Sequence, residues 1–572
     1  MKKGLIILEI ILIFFLFGCN ELDQEIITSL NYDQVTKSYD FTNLRCKGVY
    51  WGLKNGFLYL DNQAMMASAT DEADFSIERN SVYKFNVGSW NAYDNPDNIW
   101  SSCFQGIRRA NMFLASSDSV DLDLYKYDPA PAKQLVYQSR LADIKTWKYE
   151  VRFLRAFYYF ELLKRYGGVP IFTSTVNMDT DISKIKRNTL AQCVQFVSDE
   201  CDSAASVLPE KYPLDADLGR ATKGAALALK SRLLLYAASD LFNSPGLWAS
   251  NYENIELISV TGDRKIKWEL AAIAAKNVID LANSGYALST YASLFGSTNY
   301  NNSEVIFRRA YGNVNDFEKI NTPVGYDLGQ GGTNPSQNLV DEYEVIVNST
   351  TSVPFDWTNP AHAANPYTNR DPRLTMTILT NGTVIKSRAI ETWYGGLDGK
   401  PTDRATKTGY YLKKYNDTSL DLVQGKTSFH TWVIFRLAEM YLNYAEALNE
   451  ADPGNTDIKK YVDLVRKRSG VNMPALPTGL SQSQMRDAIR HERRIEFAFE
   501  DHRFWDVRRW MLGETYFNTP LKGIEITKTT TGGFIYNVID VEKRVFEPKM
   551  YLYPIPQSEL YVAKGLIQNP LW

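Results

Sequence analysis

Glu150-Val-Arg-Phe-Leu-Arg-Ala-Phe-Tyr-Tyr-Phe-Glu-Leu-Leu-Lys-Arg-Tyr166 is the stretch that decides the fold. Its apolar residues recur at helical spacing and also fill most positions between, so a helix built from it is apolar on most of its faces. Such a helix must be enclosed by others. Gly167-Gly168 and then Pro170 end it, because glycine just past a helix and proline beyond it are stop signals.

The same periodicity predicts further helices over 190–208, 221–241, 268–284, 431–450, 458–468 and 481–499. Several are rich in Ala, Leu and Tyr, as in Leu437-Ala438-Glu439-Met440-Tyr441-Leu442-Asn443-Tyr444-Ala445-Glu446-Ala447. Small residues facing aromatics at this spacing suit tetratricopeptide-like pairs stacked into a superhelix. No clean period survives, so the repeats are degenerate. The expected fold is mostly α: a superhelical scaffold with long loops and a few short strands that carry the ligand site. Residues 286–425 supply those loops, being dense in Gly, Asn, Thr, Pro and Asp with only short apolar runs, and 71–98 form a second loop-rich patch.

At the other end of the argument stands the N-terminus. Lys2 and Lys3 precede an apolar run, Leu5 to Phe17, that closes in Leu16-Phe17-Gly18-Cys19. This order reads as a lipoprotein signal peptide, residues 1–18, with Cys19 lipidated as the mature N-terminus. The run falls short of the ~20 residues a spanning helix needs, and Glu9 within it is costly in lipid. Residues 19–38 read as an acidic tether. The mature body divides into an N-terminal region, 39–265, and a C-terminal region, 266–572, packed as one unit.

The chain has 572 residues, is 44% hydrophobic and 23% charged, and carries a net charge of −3 with no basic cluster, which excludes nucleic acid as a partner. Cys46, Cys103, Cys193 and Cys201 match no zinc spacing and no dense disulfide framework; they read as buried small residues with at most one bridge. His362, His430, His491 and His502 are scattered, so no metal site and no cofactor is expected. The sequence leaves open whether calcium braces a loop.

Five blocks in order resemble one family: the stretch from Glu150 to Phe172, Arg370-Asp371-Pro372-Arg373-Leu374, the Phe435 to Ala447 block, Arg490 to Glu500 followed by Arg503 and Asp506-Val507-Arg508-Arg509-Trp510, and the closing Pro554-Ile555-Pro556 with Gln568-Asn569-Pro570-Leu571-Trp572. Trp100, Ile107 and Ala110-Asn111 add a first helical block. Together they resemble the SusD/RagB family of surface lipoproteins over nearly the whole mature chain. One departure is Leu571, where the family usually has glycine. The resemblance implies tetratricopeptide-like units, loops that bind a glycan, no catalysis, and a partner, a SusC-like TonB-dependent transporter in the outer membrane. Glu21, Asp23 and Glu25 after the lipidated cysteine fit display on the outer face.

The recognition blocks themselves read as architecture. Glu492, Arg493, Arg494, Glu496, Glu500, Arg503, Asp506 and Arg509 alternate in sign at helical spacing, which suits an ion-pair network; no nucleophile or metal accompanies Glu492 and Glu496 to make them an acid/base pair. Arg370-Asp371-Pro372-Arg373 reads as a loop lock. A glycan needs exposed rings beside short polar groups, and two regions offer them: Asp71, Glu72 and Arg79 leading to Trp90, Asn91 and Tyr93, and the long loops with Tyr326, Trp357 and Trp393. Peptide cargo fits the same surfaces. A glycoside hydrolase would need paired carboxylates across a cleft, for which Asp71 with Glu72 or Asp341 with Glu342 are the candidates.

Overall fold

The computed structural model describes residues 31–177 and 179–572, so the signal segment and Cys19 lie outside the described residues. The expected tether enters only at Asn31, which caps a short helix over Tyr32–Lys37. From there helices follow one another. They are α1 (Tyr39–Tyr50), α2 (Trp100–Ser116), α3 (Pro131–Tyr166), α4 (Leu190–Val207), α5 (Lys223–Ala238) and α6 (Arg264–Ile279). The side chains of Ser38, Thr189, Thr222 and Asp263 accept the free N–H groups at the starts of α1, α4, α5 and α6.

Helix α3 runs to 36 residues, starting at Pro131, earlier than the sequence pattern indicates. Its first part buries little beyond Ile144 and Trp147, which is why periodicity misses it, whereas from Glu150 onward almost every side chain is buried. Proline at its first position needs no hydrogen-bond partner there. At its end Gly167 has φ +75°, and a Cβ on Gly168 would lie 2.1 Å from the Asn188 carbonyl oxygen, so both glycines are required.

Each helix packs on the next: α1 and α2 on α3, then α3 on α4, α4 on α5 and α5 on α6. The series resumes after the loop region, because α6 packs directly on α7 (Leu437–Ala451), and α7 on α8 (Thr456–Arg466) and α9 (Gln482–Glu496). Small residues make the α5–α6–α7 junction close: Ala238, Ala271, Ala272, Ala447 and Ala451 pack around Trp268 and Leu235. The stacked-pair scaffold expected from the sequence is thus present.

The strands are short and paired two by two. They include β1 (Ala73–Phe75) with β3 (Thr333–Pro335), β2 (Val305–Val314) with β4 (Ser428–Arg436), and the hairpin β5 (Leu521–Lys528) with β6 (Phe534–Glu542), all antiparallel. Strand β4 corrects the helix expected over 431–450, which begins only at Leu437. Thr431-Trp432-Val433-Ile434-Phe435 is β-branched and aromatic, and it pairs with β2 before the chain turns helical. The four described cysteines are buried and unbridged.

Charged side chains fill much of the interior between helices and loops. Glu496 on α9 meets Arg373 (2.9 Å), Arg436 (2.6 Å) and Arg468 (3.2 Å). Burial pushes its carboxyl up, but the three arginines outweigh that and hold it far below the usual range. Glu492 meets Arg373 and Arg466, Glu304 meets Arg436 and Arg468, and Glu500 meets Arg436 and Lys414. Along α10 (His502–Arg509), Arg509 grips Glu446 with two contacts of 2.6 and 2.7 Å. Arg370 of the loop lock donates to the carbonyls of Tyr343 (2.7 Å), Pro366 (2.6 Å) and Val340.

The pair Asp71-Glu72 ends up inside this system. Asp71 accepts 2.8 Å bonds from Arg503 on both oxygens and meets Arg494 at 2.9 Å. Burial raises its pKa, and the two arginines more than reverse this, holding it at about 2. Glu72 has no cation to itself; burial and the neighbouring Asp71 push its carboxyl up to about 8.

The last residues dock onto the end of α3. The Asn569 amide donates to the carbonyls of Tyr166 (3.0 Å) and Tyr553 (2.7 Å), and the Trp572 ring sits 4.8 Å from Trp90. Leu571 between them adopts φ +66° with its side chain 61% exposed.

Two stability predictions result. Left-handed backbone costs a branched residue about 1–2 kcal/mol, partly offset by glycine's extra freedom when unfolded, so Leu571→Gly should raise the unfolding free energy by up to about 1 kcal/mol in urea titration. Glu72 binds a proton in the folded state between its ordinary pKa of 4.5 and about 8, so its contribution is complete below that window and declines as pH rises through it. Glu72→Gln cannot ionise. Its melting temperature should gain on the parent's steadily from pH 5 to pH 8; a gap independent of pH would refute the assignment.

Candidate ligand-binding face

The pairing of β1 with β3 decides which loops act together. Ala73, Asp74 and Phe75 face Pro335, Asn334 and Thr333, and the Ser76 N–H donates to the Gly332 carbonyl. The first loop region is thereby joined to the Gly-rich run 329–332. Gly331, at φ +72°, lets this run approach a third loop, since a Cβ there would lie 2.7 Å from the Arg404 carbonyl oxygen.

Asp398 locks the third loop, 388–404, in place. Fully buried, it accepts from the N–H groups of Gly325 (3.1 Å) and Glu391 (2.9 Å) and from the Arg388 guanidinium at 2.8 and 3.0 Å. The Tyr411 hydroxyl donates to its carbonyl at 2.6 Å. One carboxylate therefore ties 324–332 to 388–404.

Arg79, Leu328, Tyr394, Leu397 and Arg404 are exposed on this assembly, and Trp393 is partly exposed with the Lys528 ammonium 4.8 Å from its ring centre. Arg79 sits at φ +63°, and no ion pair engages it among the described residues. Rings and guanidinium groups on rigidly joined loops offer stacking faces next to fixed donors.

Of the residues expected to contact ligand, Arg79 and Trp393 lie here, and four others are interior. Asp71 and Glu72 are buried as described. Trp90 is 2% exposed, packed edge-on to Phe85 (5.2 Å) and Tyr553 (5.0 Å). Tyr326 is covered by Arg388, whose guanidinium lies 3.8 Å from its ring centre, and its hydroxyl donates to the Arg388 carbonyl. All four anchor loops to the body, so the expectation of surface contact at these positions is corrected.

The remaining three are separate. Asn91 accepts from the N–H groups of Tyr93 (2.9 Å) and Asp94 (3.2 Å), and the exposed Tyr93 hydroxyl lies 2.8 Å from that of Tyr561, so this turn belongs with the C-terminal segment. Trp357 donates to Asp341 at 3.0 Å and packs on Phe355, whose ring lies over Arg370. It covers the loop lock.

Sequence reasoning missed Arg404, Leu328, Leu397 and above all Asp398. The spacing Gly395-Gly396-Leu397-Asp398-Gly399 marks a tight turn but gives no hint that its acid ties two loops together. Among the described residues no group of His, Cys, Asp and Glu is arranged to hold a metal, and no helix is long and apolar enough to cross a membrane.

Comparison with known proteins agrees with this architecture. The sequence profile of the SusD family matches residues 296–572, and one described as starch-binding and associating with outer membrane matches 53–235. SusD-like protein P2 of Formosa agariphila is 22% identical across 98% of both chains. A crystal structure of a SusD-like protein from Bacteroides fragilis superposes with a TM-score of 0.77 at 26% identity, covering 95% of this chain and 99% of that one. A SusD-like carbohydrate binding protein of the same species shares the fold, with a TM-score of 0.73 at 24% identity over 93% of this chain and 100% of its own. With helical series and loop region both matched, the chain belongs to the SusD/RagB family.

Proposed function

We propose that the protein is a non-catalytic lipoprotein that captures oligosaccharide on the loop face and delivers it to a SusC-like TonB-dependent transporter. The observation that carries the reading is the exposed Tyr394 and partly exposed Trp393, with the Lys528 ammonium 4.8 Å from the Trp393 ring, on the loop that Asp398 ties to the Gly-rich run. A sugar ring presents an apolar C–H face to such rings and hydroxyls to such donors, and loops ordered in advance keep the cost of binding low. The carbohydrate binding relative from Bacteroides fragilis lends support. So does the family's description as associating with the outer membrane. Lipid on Cys19 would hold the body next to the transporter and raise the effective concentration of cargo at its mouth.

Hydrolysis would need two carboxylates opposed across a cleft. Asp71 and Glu72 are interior, Asp341 accepts from Gln337 and Trp357, and Glu342 pairs with Arg494, which favours binding without turnover. The regions 39–265 and 266–572 act in this proposal as one body, supported by the packing of α5 on α6 across their boundary.

Isothermal titration against a panel of neutral oligosaccharides and peptides tests the reading. Binding of an oligosaccharide is expected, with Trp393→Ala and Arg79→Ala each weakening it about tenfold, or ~1.4 kcal/mol. Response to peptides alone would show the cargo to be peptide. In cells, Cys19→Ala should move the protein from the membrane fraction to the soluble one; retention in the membrane would refute the anchor.

A further inference from the structure

A groove of about 350 Å³ runs along the flank of α2 and shares no residue with the loop face. Phe104, Ile107, Phe172, Val176, Ile182 and Leu566 give it an apolar lining. The Asn111 amide shapes it, donating to the carbonyls of Phe172 (2.9 Å) and Ser174 (3.1 Å). Val176 is 43% and Ile182 45% exposed, so part of this apolar surface faces water. Two charges stand on it, Arg108 of α2 and Glu559 of the short helix Gln557–Val562, and neither has an ion-pair partner among the described residues.

The described chain begins beside the same helix. Tyr32–Lys37 packs on 117–119, just past the end of α2, and the Asp121 N–H donates to the Lys37 carbonyl at 2.8 Å. Arg45 of α1 donates to the Met112 carbonyl (3.1 Å) and to Ser116, and the Tyr32 phenol lies near enough to that guanidinium to oppose the lowering of its pKa by burial. Met112 is itself exposed, one turn along from Arg108 on the same side of α2. Between Asn31 and Cys19 lie residues 20–30, Asn-Glu-Leu-Asp-Gln-Glu-Ile-Ile-Thr-Ser-Leu. Extended, such a segment reaches up to about 36 Å. From Ser116, where α2 ends, the groove residue Asn111 is only about 8 Å away along the helix. The composition matches as well: Ile26, Ile27 and Leu30 suit the apolar lining, and Glu21, Asp23 and Glu25 suit the unpaired Arg108.

We propose that the groove along α2 is a docking site for this chain's own segment 20–30, with Ile26 and Ile27 against Phe104, Val176 and Ile182 and Glu25 within reach of Arg108. A segment joined to the groove's edge acts there at a far higher effective concentration than a partner in solution. Docking leaves residues 20–25 between the groove and Cys19, about 20 Å when extended. Lipid on Cys19 then turns the α2 flank toward the membrane, instead of leaving the body to rotate on its tether. The docking does not depend on what the loop face binds.

Hydrogen exchange on the mature chain carrying Cys19→Ala, which keeps the whole segment and needs no detergent, tests this. The amides of residues 26–28 are expected to exchange tenfold or more slowly than in a free peptide of residues 20–31. Two pairs of substitutions should each restore the rate of the corresponding free peptide: Val176→Asp with Ile182→Asp in the groove, at exposed positions, and Ile26→Asp with Ile27→Asp in the segment. The segment pair leaves the folded body untouched, so exchange across 179–185 should rise in it as the groove is uncovered, a readout that stands even where the groove pair impairs folding. Peptide-like exchange at 26–28 in the parent, slow exchange that persists in the groove pair, or no change across 179–185 in the segment pair overturns the docking. Slow exchange lost on dilution would assign the groove to a second copy of the chain, and protection of 179–185 only when the transporter is added would assign it to that partner; both overturn the proposal as well. The oligosaccharide titration reads the loop face alone, so the proposed function and this inference fail separately.

Discussion

Glu496 has to be ionised and has to be inside. It lies at the end of α9 with no exposed surface, and it is held there by arginines from three places: Arg373 of the loop lock, Arg436 at the end of β4 and Arg468 just beyond α8. Glu492, Glu500, Glu304, Asp371, Arg466 and Lys414 extend the cluster, so that loop, strand and helix meet in one body of charge. Lys414 shows the tension within it: burial draws the ammonium down to about 8 even though Glu500 opposes the shift. A buried pair of this kind adds little over an apolar replacement of both partners, yet losing one partner costs about 3–5 kcal/mol. The cluster therefore acts by exclusion. Any arrangement that withdraws one member strands the others, and only one packing of loops against helices leaves none stranded.

Because the loops are fixed at their roots by charge, their outer surfaces need not contribute to the fold. Arg370 holds three carbonyls and Asp398 closes the Gly-rich run, both buried, while Leu328, Tyr394 and Leu397 are exposed on the outside of the segments that Asp398 joins. Order at the root and freedom at the surface are what a binding face requires. Stacking and hydrogen bonding then act on a ligand without first having to order the protein.

This division also explains what the sequence could show. Helices were legible because apolar spacing is local, and the alternating charges of the 492–509 block announced the network they form. Thr431 to Phe435 was misread because an apolar run looks alike in strand and helix until its partner, β2, is known. The first part of α3 was missed because it is not enclosed. Asp71, Trp90 and Tyr326 looked like surface groups for the same reason: the partners that bury them, Arg503, Tyr553 and Arg388, are distant in the chain. Composition identifies loops able to bind sugar. Which face of a loop looks outward is settled by long-range pairing, and a single sequence does not display it.

The loop region also interrupts the helical series without disturbing it. Since α6 packs on α7, the two ends of the intervening segment are held near each other by helix packing, and β2 with β4 zips its base over nine or ten residues. For a flexible loop closed at its ends, doubling its length adds only about 0.6 kcal/mol of closure entropy. The scaffold can thus carry a longer or shorter binding face between fixed points at little cost to its stability, provided the roots keep Glu304, Arg373 and Arg436 in reach of α9. The tolerance of the loops and the rigidity of the charged centre are consequences of the same arrangement.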